Sequence, residues 1–506
     1  MNPKKSIFVS LFSVTGILIV GKILGFFKQI VIARFFGATF ETDIINLSEG
    51  FISNVDYIII NTLSTAILTL FVHIKSKDKE EANALITNAM LFFFLSISAL
   101  TGVLIVLSPF ISKLLAPSFS QDDTNTLTKY LMILLPCIIL ISLSSICGGV
   151  LQSQKRFIPN QIASLVQSVV TIIIVILFGQ KYGPFVLIPS FIFYSVFNFV
   201  FLFPLSKREW KFSFKYKNPF RNNNFISAIR IMGPLFLAYG AIFVNQIVDK
   251  IIVSSMSEGS VSALAYASTL SNFVIAIITA LTGVMYSHIA NEIASKNENV
   301  AINTAVKFIE FSVAIFIPIT IISMVNSIDV VNIAYLRGKF DSDAASLTSA
   351  ALMGYALSFV FYSIKSITNK ILYSYKNTKW PMFSSLIAIT MNIILSIILS
   401  NFMGILGVAL ASSIAEIVAS VINVVALKSL GIHLSFKNSP EVLLKWSLVF
   451  CTSIIVSRSF TFLDLHYTIR FILIVLITAS LCCIVYYSDI HRLFKKVFLS
   501  VKRKSI

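Results

Sequence analysis

The residues able to do chemistry in this chain sit where charge is costly. Ile17 to Gly37 reads ILIVGKILGFFKQIVIARFFG, apolar enough to span a bilayer yet carrying Lys22, Lys28 and Gln29. An ammonium at bilayer depth costs about 2.5–3.5 kcal/mol on insertion scales, so such a group is kept where it meets water or a polar ligand inside a helix bundle. At 100° per residue Lys22 and Gln29 share a face, while Lys28 lies about 120° from Lys22; all three meet one cavity only if it is wide or the helix bends at Gly21 or Gly25. A second apolar stretch carries Asn245, Gln246, Asp249 and Lys250. Asp56 lies in a third, with Glu310, Lys365, Lys370 and Glu416 further on. The bland alternatives are a lysine snorkelling to the interface and polar pairs between helices.

The elements holding these groups follow from composition. The 506 residues are 57% hydrophobic and 12% charged, with mean hydropathy +0.88. A soluble domain carries roughly 25% charged residues. Apolar runs of spanning length alternate with short polar breaks, which predicts an all-α polytopic membrane protein of about fourteen transmembrane helices. The expected limits are 8–36, 43–73, 83–112, 127–152, 158–179, 183–205, 225–255, 261–291, 302–326, 345–374, 380–400, 404–429, 442–460 and 468–487. Continuous runs argue against a β-barrel. The five cysteines all lie in apolar runs without metal-ligand spacing, so no metal site is expected.

The net charge of +18 predicts basic cytoplasmic loops rather than a nucleic-acid partner. Lys75, Lys77, Lys79, Lys155, Arg156, Lys207 to Arg221, Lys376, Lys379, Lys428, Lys437 and a basic tail fall on one side. Asp43, Asp122, Asp123, Glu258 and the mixed stretch Arg337–Asp343 fall on the other. Both termini are therefore expected in the cytoplasm. The stretch 207–221, with Trp210, Phe212, Phe214, Tyr216 and Phe220 interleaved among its cations, is expected to be an amphipathic segment on anionic lipid.

The chain also repeats. Leu151-Gln-Ser-Gln-Lys155 followed by Pro159 returns as Leu372-Tyr-Ser-Tyr-Lys376 followed by Pro381, and Lys28-Gln-Ile-Val returns as Asn245-Gln-Ile-Val. This predicts two pseudo-symmetric six-helix lobes, 1–220 and 221–435, related by an axis along the membrane normal, with a C-terminal helix pair and tail over 436–506. Binding would lie between the lobes. No Walker loop, nucleophile elbow or metal-binding His pair is present, so a transporter rather than an enzyme is expected, without cofactor, its energy input an ion gradient such as that of a monovalent cation, the membrane potential or the substrate's own gradient.

These stretches resemble the MurJ/MviN lipid II flippase family, within the superfamily that also holds multidrug antiporters. The resemblance is carried by Gly21–Lys28, Ile32–Gly37 with Thr42-Asp43, Gly148–Phe157, Asn245–Asp249, Gly259–Leu264 with Tyr266-Ala267, Leu336–Phe340, Tyr373–Pro381 and Gly404–Ala411. It implies fourteen helices and alternating-access movement of an undecaprenyl-diphosphate-linked glycan, lipid II or a related oligosaccharide, across a bacterial inner membrane by a monomer among membrane lipids. A cation-coupled drug antiporter is the alternative. The family's two first-helix arginines fall on Lys22 and Lys28, and its following acid on Gln29. The acid opening its second helix is kept as Asp43, its second-helix arginine falls on Asp56, and its eighth-helix arginine on Thr269. A carboxylate at Asp56 is expected to pair with Lys28 and to exchange it with substrate or a proton during the cycle.

Overall fold

The computed structural model describes residues 3–215, 218–295, 297–432, 434, 439–461 and 466–485. The basic tail beyond 485, Tyr216, Lys217 and Lys437 lie outside the described residues.

Apolar runs long enough to bury their own backbone hydrogen bonds in lipid become helices, because no other open structure satisfies those groups there. In chain order they are α1 (Pro3–Phe36), α2 (Phe40–Lys75), α3 (Lys79–Leu115), α4 (Gln121–Leu134), α5 (Cys137–Ser153), α6 (Ile158–Tyr182), α7 (Leu187–Lys207), α8 (Asn223–Ser254) and α9 (Ser260–Ala294). They continue as α10 (Glu298–Val325), α11 (Ser327–Tyr335), α12 (Ser342–Ala356), α13 (Ser358–Ser374), α14 (Lys379–Met403), α15 (Ile405–Ser429), α16 (Ser439–Thr461) and α17 (Tyr467–Val485). Eleven helical stretches among the described residues are long and apolar enough to cross a membrane. One of them, Ile158–Lys207, is the hairpin α6–α7; counting it as two and adding α1 and α16 gives the expected fourteen.

The expected single helices over 127–152 and 345–374 are each broken once. Pro136 separates α4 from α5, where its missing N–H and ring interrupt the ladder. Leu357 separates α12 from α13 at the corresponding point of the second copy, with no proline there.

The repeat is visible in the backbone of both copies. Lys155 and Lys376 adopt φ of 61° and 58°, the non-glycine residues with positive φ among those described. Arg156 N–H donates to Leu151 O at 3.0 Å, and Asn377 N–H donates to Leu372 O at 2.9 Å. Each copy thus ends a helix with the same left-handed cap, anchored by a fully buried leucine. Gly183 and Gly404 repeat this correspondence after α6 and α14, with φ of 60° and 57°.

The chain forms two compact units. The first is residues up to Ala265 together with Arg337–Ala344, and the second is Tyr266–Leu336 together with the chain from Ala345. Within the first, α2 packs on α3, α4, α5 and α8, α1 packs on α6, and α7 packs on α5 and α6. Within the second, α15 packs on α13 and α14, while α10 packs on α13 and α16. The repeat sets its boundary near residue 220, whereas the packing boundary comes after α8, because α8 lies against α2 and α3.

Candidate substrate site

The charged groups of the first unit gather on α1, α2 and α8. The end of α1 is fixed by its buried residues Val31, Ile32, Ala33 and Phe36, on a helix that packs against α6. That leaves Lys28 and Gln29 half-buried and Lys22 exposed. Lys250 reaches from α8 to α2, where its Nζ donates to the backbone carbonyl of Asn46 at 3.0 Å. It can do so because residue 50 is glycine: a Cβ there would stand 1.5 Å from the Lys250 Nζ. The carboxylate of the adjacent Glu49 interacts electrostatically with both Lys28 and Lys250. One acid on α2 is thus electrostatically linked to a lysine on α1 and a lysine on α8.

Glu49 is the residue that sequence reasoning missed. The missing signal was depth. Lys28 lies eight residues before the end of α1 and Glu49 ten residues into α2, so both sit about 12–14 Å from the same end of the helix pair at 1.5 Å per residue. Asp56 shares the face of Glu49 but is a further 10–11 Å along the axis. Its neighbours are instead Cys137 on α5 and Tyr194 on α7. Its side chain is buried and its Oδ1 has no hydrogen-bond partner. The Lys28–Asp56 pair expected from the sequence is therefore not formed, and the acid that acts electrostatically on Lys28 is Glu49.

The other expected positions are placed as follows. Asp249 is buried on α8, Gln246 is exposed on it, and Asn245 is half-buried. Thr269 lies on α9 within the second unit. In that unit Lys365 and Glu416 form an ion pair at 2.7 Å between α13 and α15, and Lys370 lies 5.1 Å from the ring centre of Tyr286.

Asp43 does a different job from the lysine cluster. Its Oδ1 accepts the backbone N–H of Ser262 at 2.7 Å and the Ser262 hydroxyl at 2.6 Å. The carboxylate thereby satisfies free N–H groups in the first turn of α9, where a negative charge is favoured. Asn46 Nδ2 donates to the same hydroxyl at 3.0 Å. Beside this joint, three glycines in left-handed conformation allow backbone to touch backbone. A Cβ on Gly37 would lie 2.4 Å from the carbonyl oxygen of Lys339, one on Gly259 2.2 Å from that of Ala38, and one on Gly338 2.3 Å from that of Arg34. Lys339 N–H donates to Arg34 O at 2.9 Å. The end of α1, the α8–α9 turn and the turn before α12 are thus closed onto one another within the first unit.

Known proteins place the chain. The family described as "Lipid II flippase MurJ" matches residues 32–486. A "Lipid II flippase MurJ" of Thermosipho africanus is 28% identical over 487 residues, covering 94% of this chain and 95% of that protein. A "Probable lipid II flippase MurJ" of Borreliella burgdorferi is 25% identical over 436 residues, 84% of each. The solved structure "Lipid II flippase MurJ, inward closed conformation" aligns with TM-score 0.79 at 26% identity, over 95% of this chain and 99% of that one. An inward-facing multidrug resistance MATE transporter shares the fold alone, with TM-score 0.66 at 12% identity over 81% and 94%. With the family matched over nearly the whole chain and the same helical architecture in its solved relative, this chain belongs to the MurJ lipid II flippase family.

Proposed function

We propose that this protein carries lipid II from the cytoplasmic to the outer leaflet of a bacterial inner membrane, with the substrate's diphosphate held by Lys28 and Lys250. The observation that carries this reading is the shared Glu49. An internal carboxylate keeps two half-buried ammonium groups compensated while the site is empty, and a diphosphate takes its place on binding. Lysine offers compact point charges rather than the planar fork of arginine. The grip therefore depends on two cations converging on one anion, not on a bidentate contact. Asp249, Gln246 and Gln29 line the same helices as polar neighbours, and Lys22 supplies a cation about 9 Å nearer the start of α1.

Energy in this reading comes from the membrane potential or a monovalent cation. An inside-negative potential itself drives an anionic headgroup outward, by about 2.3 kcal/mol per charge per 100 mV. The contacts of Asp43 and the three glycines serve as the extracytoplasmic closure that opens during alternating access. The test is growth: the chain should replace the lipid II flippase of a bacterium depleted of its own, and lipid II should become accessible on the outer leaflet. Accumulation of lipid II inside, despite full expression in the membrane, would overturn the reading.

Orientation is checked separately. A membrane-impermeant thiol reagent applied to intact cells should label Ser342→Cys and spare Ser213→Cys. The opposite pattern would invert the topology and place the closure on the cytoplasmic face.

A further inference from the structure

Between α7 and α8 the described chain holds one short 3-10 turn, Pro219–Arg221, and a non-helical strap before it. Residues 210–214 have no regular secondary structure and run along α3. Lys211 N–H donates to Asn83 Oδ1 and Ser213 N–H donates to Thr87 Oγ1, both at 3.0 Å. Lys215 pairs with Glu81 at 2.7 Å. Further on, the Phe220 ring lies 5.6 Å from that of Phe92. The described parts of this connection therefore touch α3 at its charged first turn and, through the Phe220 ring, at Phe92, about 13–14 Å along the axis from Asn83 and level with Leu91 and Phe94, which are 44% and 46% exposed.

Two sets of side chains point outward from it. Phe212, Phe214 and Phe220 are 50%, 69% and 56% exposed, and the first two rings stack with centres 6.3 Å apart. Arg208, Lys211 and Arg221 are exposed beside them, as are Lys77, Lys79, Lys155 and Arg156 at the neighbouring helix ends. Of the nearby acids, Glu209 is paired with Lys75 and Arg156, Glu81 with Lys215, and Asp78 caps the first turn of α3, while Glu80 is exposed in that turn and leaves the cations in excess. Lys207 is occupied by the faces of Trp210 and Phe212, 4.2 and 3.5 Å from the ring centres.

We propose that this strap is a docking surface for anionic phospholipid, with the three phenylalanine rings among the upper acyl chains and Arg208, Lys211 and Arg221 on the headgroups. Exposed rings have no favourable place in water, while aromatic residues are suited to the headgroup level. The two side-chain acceptors on α3 satisfy N–H groups of this non-helical backbone that lipid cannot. Charge complementarity selects anionic over zwitterionic lipid, since each basic residue near the surface adds to the attraction. The inference stands apart from the identity of the transported substrate.

The experiment uses the full chain in nanodiscs with lipids brominated on the acyl chain. Tryptophan introduced by Phe214→Trp, read as the difference from the parent protein, should be quenched. Quenching by brominated phosphatidylglycerol should exceed that by brominated phosphatidylcholine at equal mole fraction. Arg208→Gln with Lys211→Gln should lower this preference by about fivefold or more while quenching itself persists. Phe212→Trp provides a second reporter should the first variant express poorly. No quenching by either lipid would mean that water or a protein partner covers the strap, and equal quenching by both would mean apolar contact without headgroup recognition; either overturns the proposal.

Discussion

Lys28→Ala and Lys250→Ala are each expected to abolish growth in a strain that depends on this chain for lipid II transport, with the protein still in the membrane. A charge-assisted hydrogen bond to phosphate is worth about 1.5–3 kcal/mol, so losing one of two weakens the grip roughly ten- to hundred-fold. The variant also leaves Glu49 with one cation instead of two, which destabilises the empty site. Arginine should separate the two positions. Lys28 is half-buried on a helix face with room beside Gly25, where an added Cβ would meet no heavy atom within 4 Å, so Lys28→Arg should retain activity. Lys250 lies where Gly50 has no side chain and donates to a single carbonyl, a space too narrow for a planar guanidinium, so Lys250→Arg should fail. Glu49→Gln removes the competitor for the diphosphate and should preserve binding while slowing release. Because Glu49 touches both lysines electrostatically, Lys28→Ala combined with Glu49→Gln should be less damaging than the sum of the two. Lys28→Ala combined with Asp56→Asn should be additive, as the two side chains have no shared partner. Full growth of both alanine variants would remove the diphosphate from these lysines, and additivity with Glu49 would dissolve the cluster.

The helices were legible because lipid imposes a simple rule: an apolar run of spanning length has one way to satisfy its backbone. The repeat was legible through Leu151–Lys155 and Leu372–Lys376, which turn out to share a left-handed cap. Partner choice was not legible. Periodicity puts Glu49 and Asp56 on one face of α2, and only the distance of each from the helix end tells which one meets Lys28. The family match begins at residue 32, after Lys22, Lys28 and Gln29. The strap after α7 did carry its own signal. Trp210, Phe212 and Phe214 alternate with Lys211 and Ser213, a period of two that belongs to extended chain rather than to an amphipathic helix. Which compact unit α8 joins depends on contacts with α2 and α3 that lie far apart in sequence, and local pattern holds no record of them.

Gly338→Ala is expected to open the closure at the end of α1. Residue 338 has φ of 66°, where a side chain costs about 1–2 kcal/mol. Its Cβ would meet a backbone oxygen, that of Arg34, which cannot swing aside as a flexible side chain can. The turn must therefore lift, and the Lys339–Arg34 hydrogen bond, worth about 0.5–1.5 kcal/mol, goes with it. Together these shift the population of the closed state by roughly ten- to a few hundred-fold. The reporter is Ala263→Cys, a fully buried position next to Ser262 in the first turn of α9. In otherwise native protein it should resist an impermeant thiol reagent added to intact cells. In the Gly338→Ala background it should react at least about tenfold faster, and transport should fall because the outward closure no longer holds. Gly404→Ala is the control: φ is 57° there, but nothing lies within 4 Å of the added Cβ. It carries the backbone strain without the contact and should leave Ala263→Cys protected. Asp43→Asn weakens the bonds to Ser262 without any backbone strain and should move the reporter in the same direction as Gly338→Ala. If neither variant exposes Ala263→Cys and transport continues, the packed turns are fixed scaffold, and the closure must be sought elsewhere in the molecule.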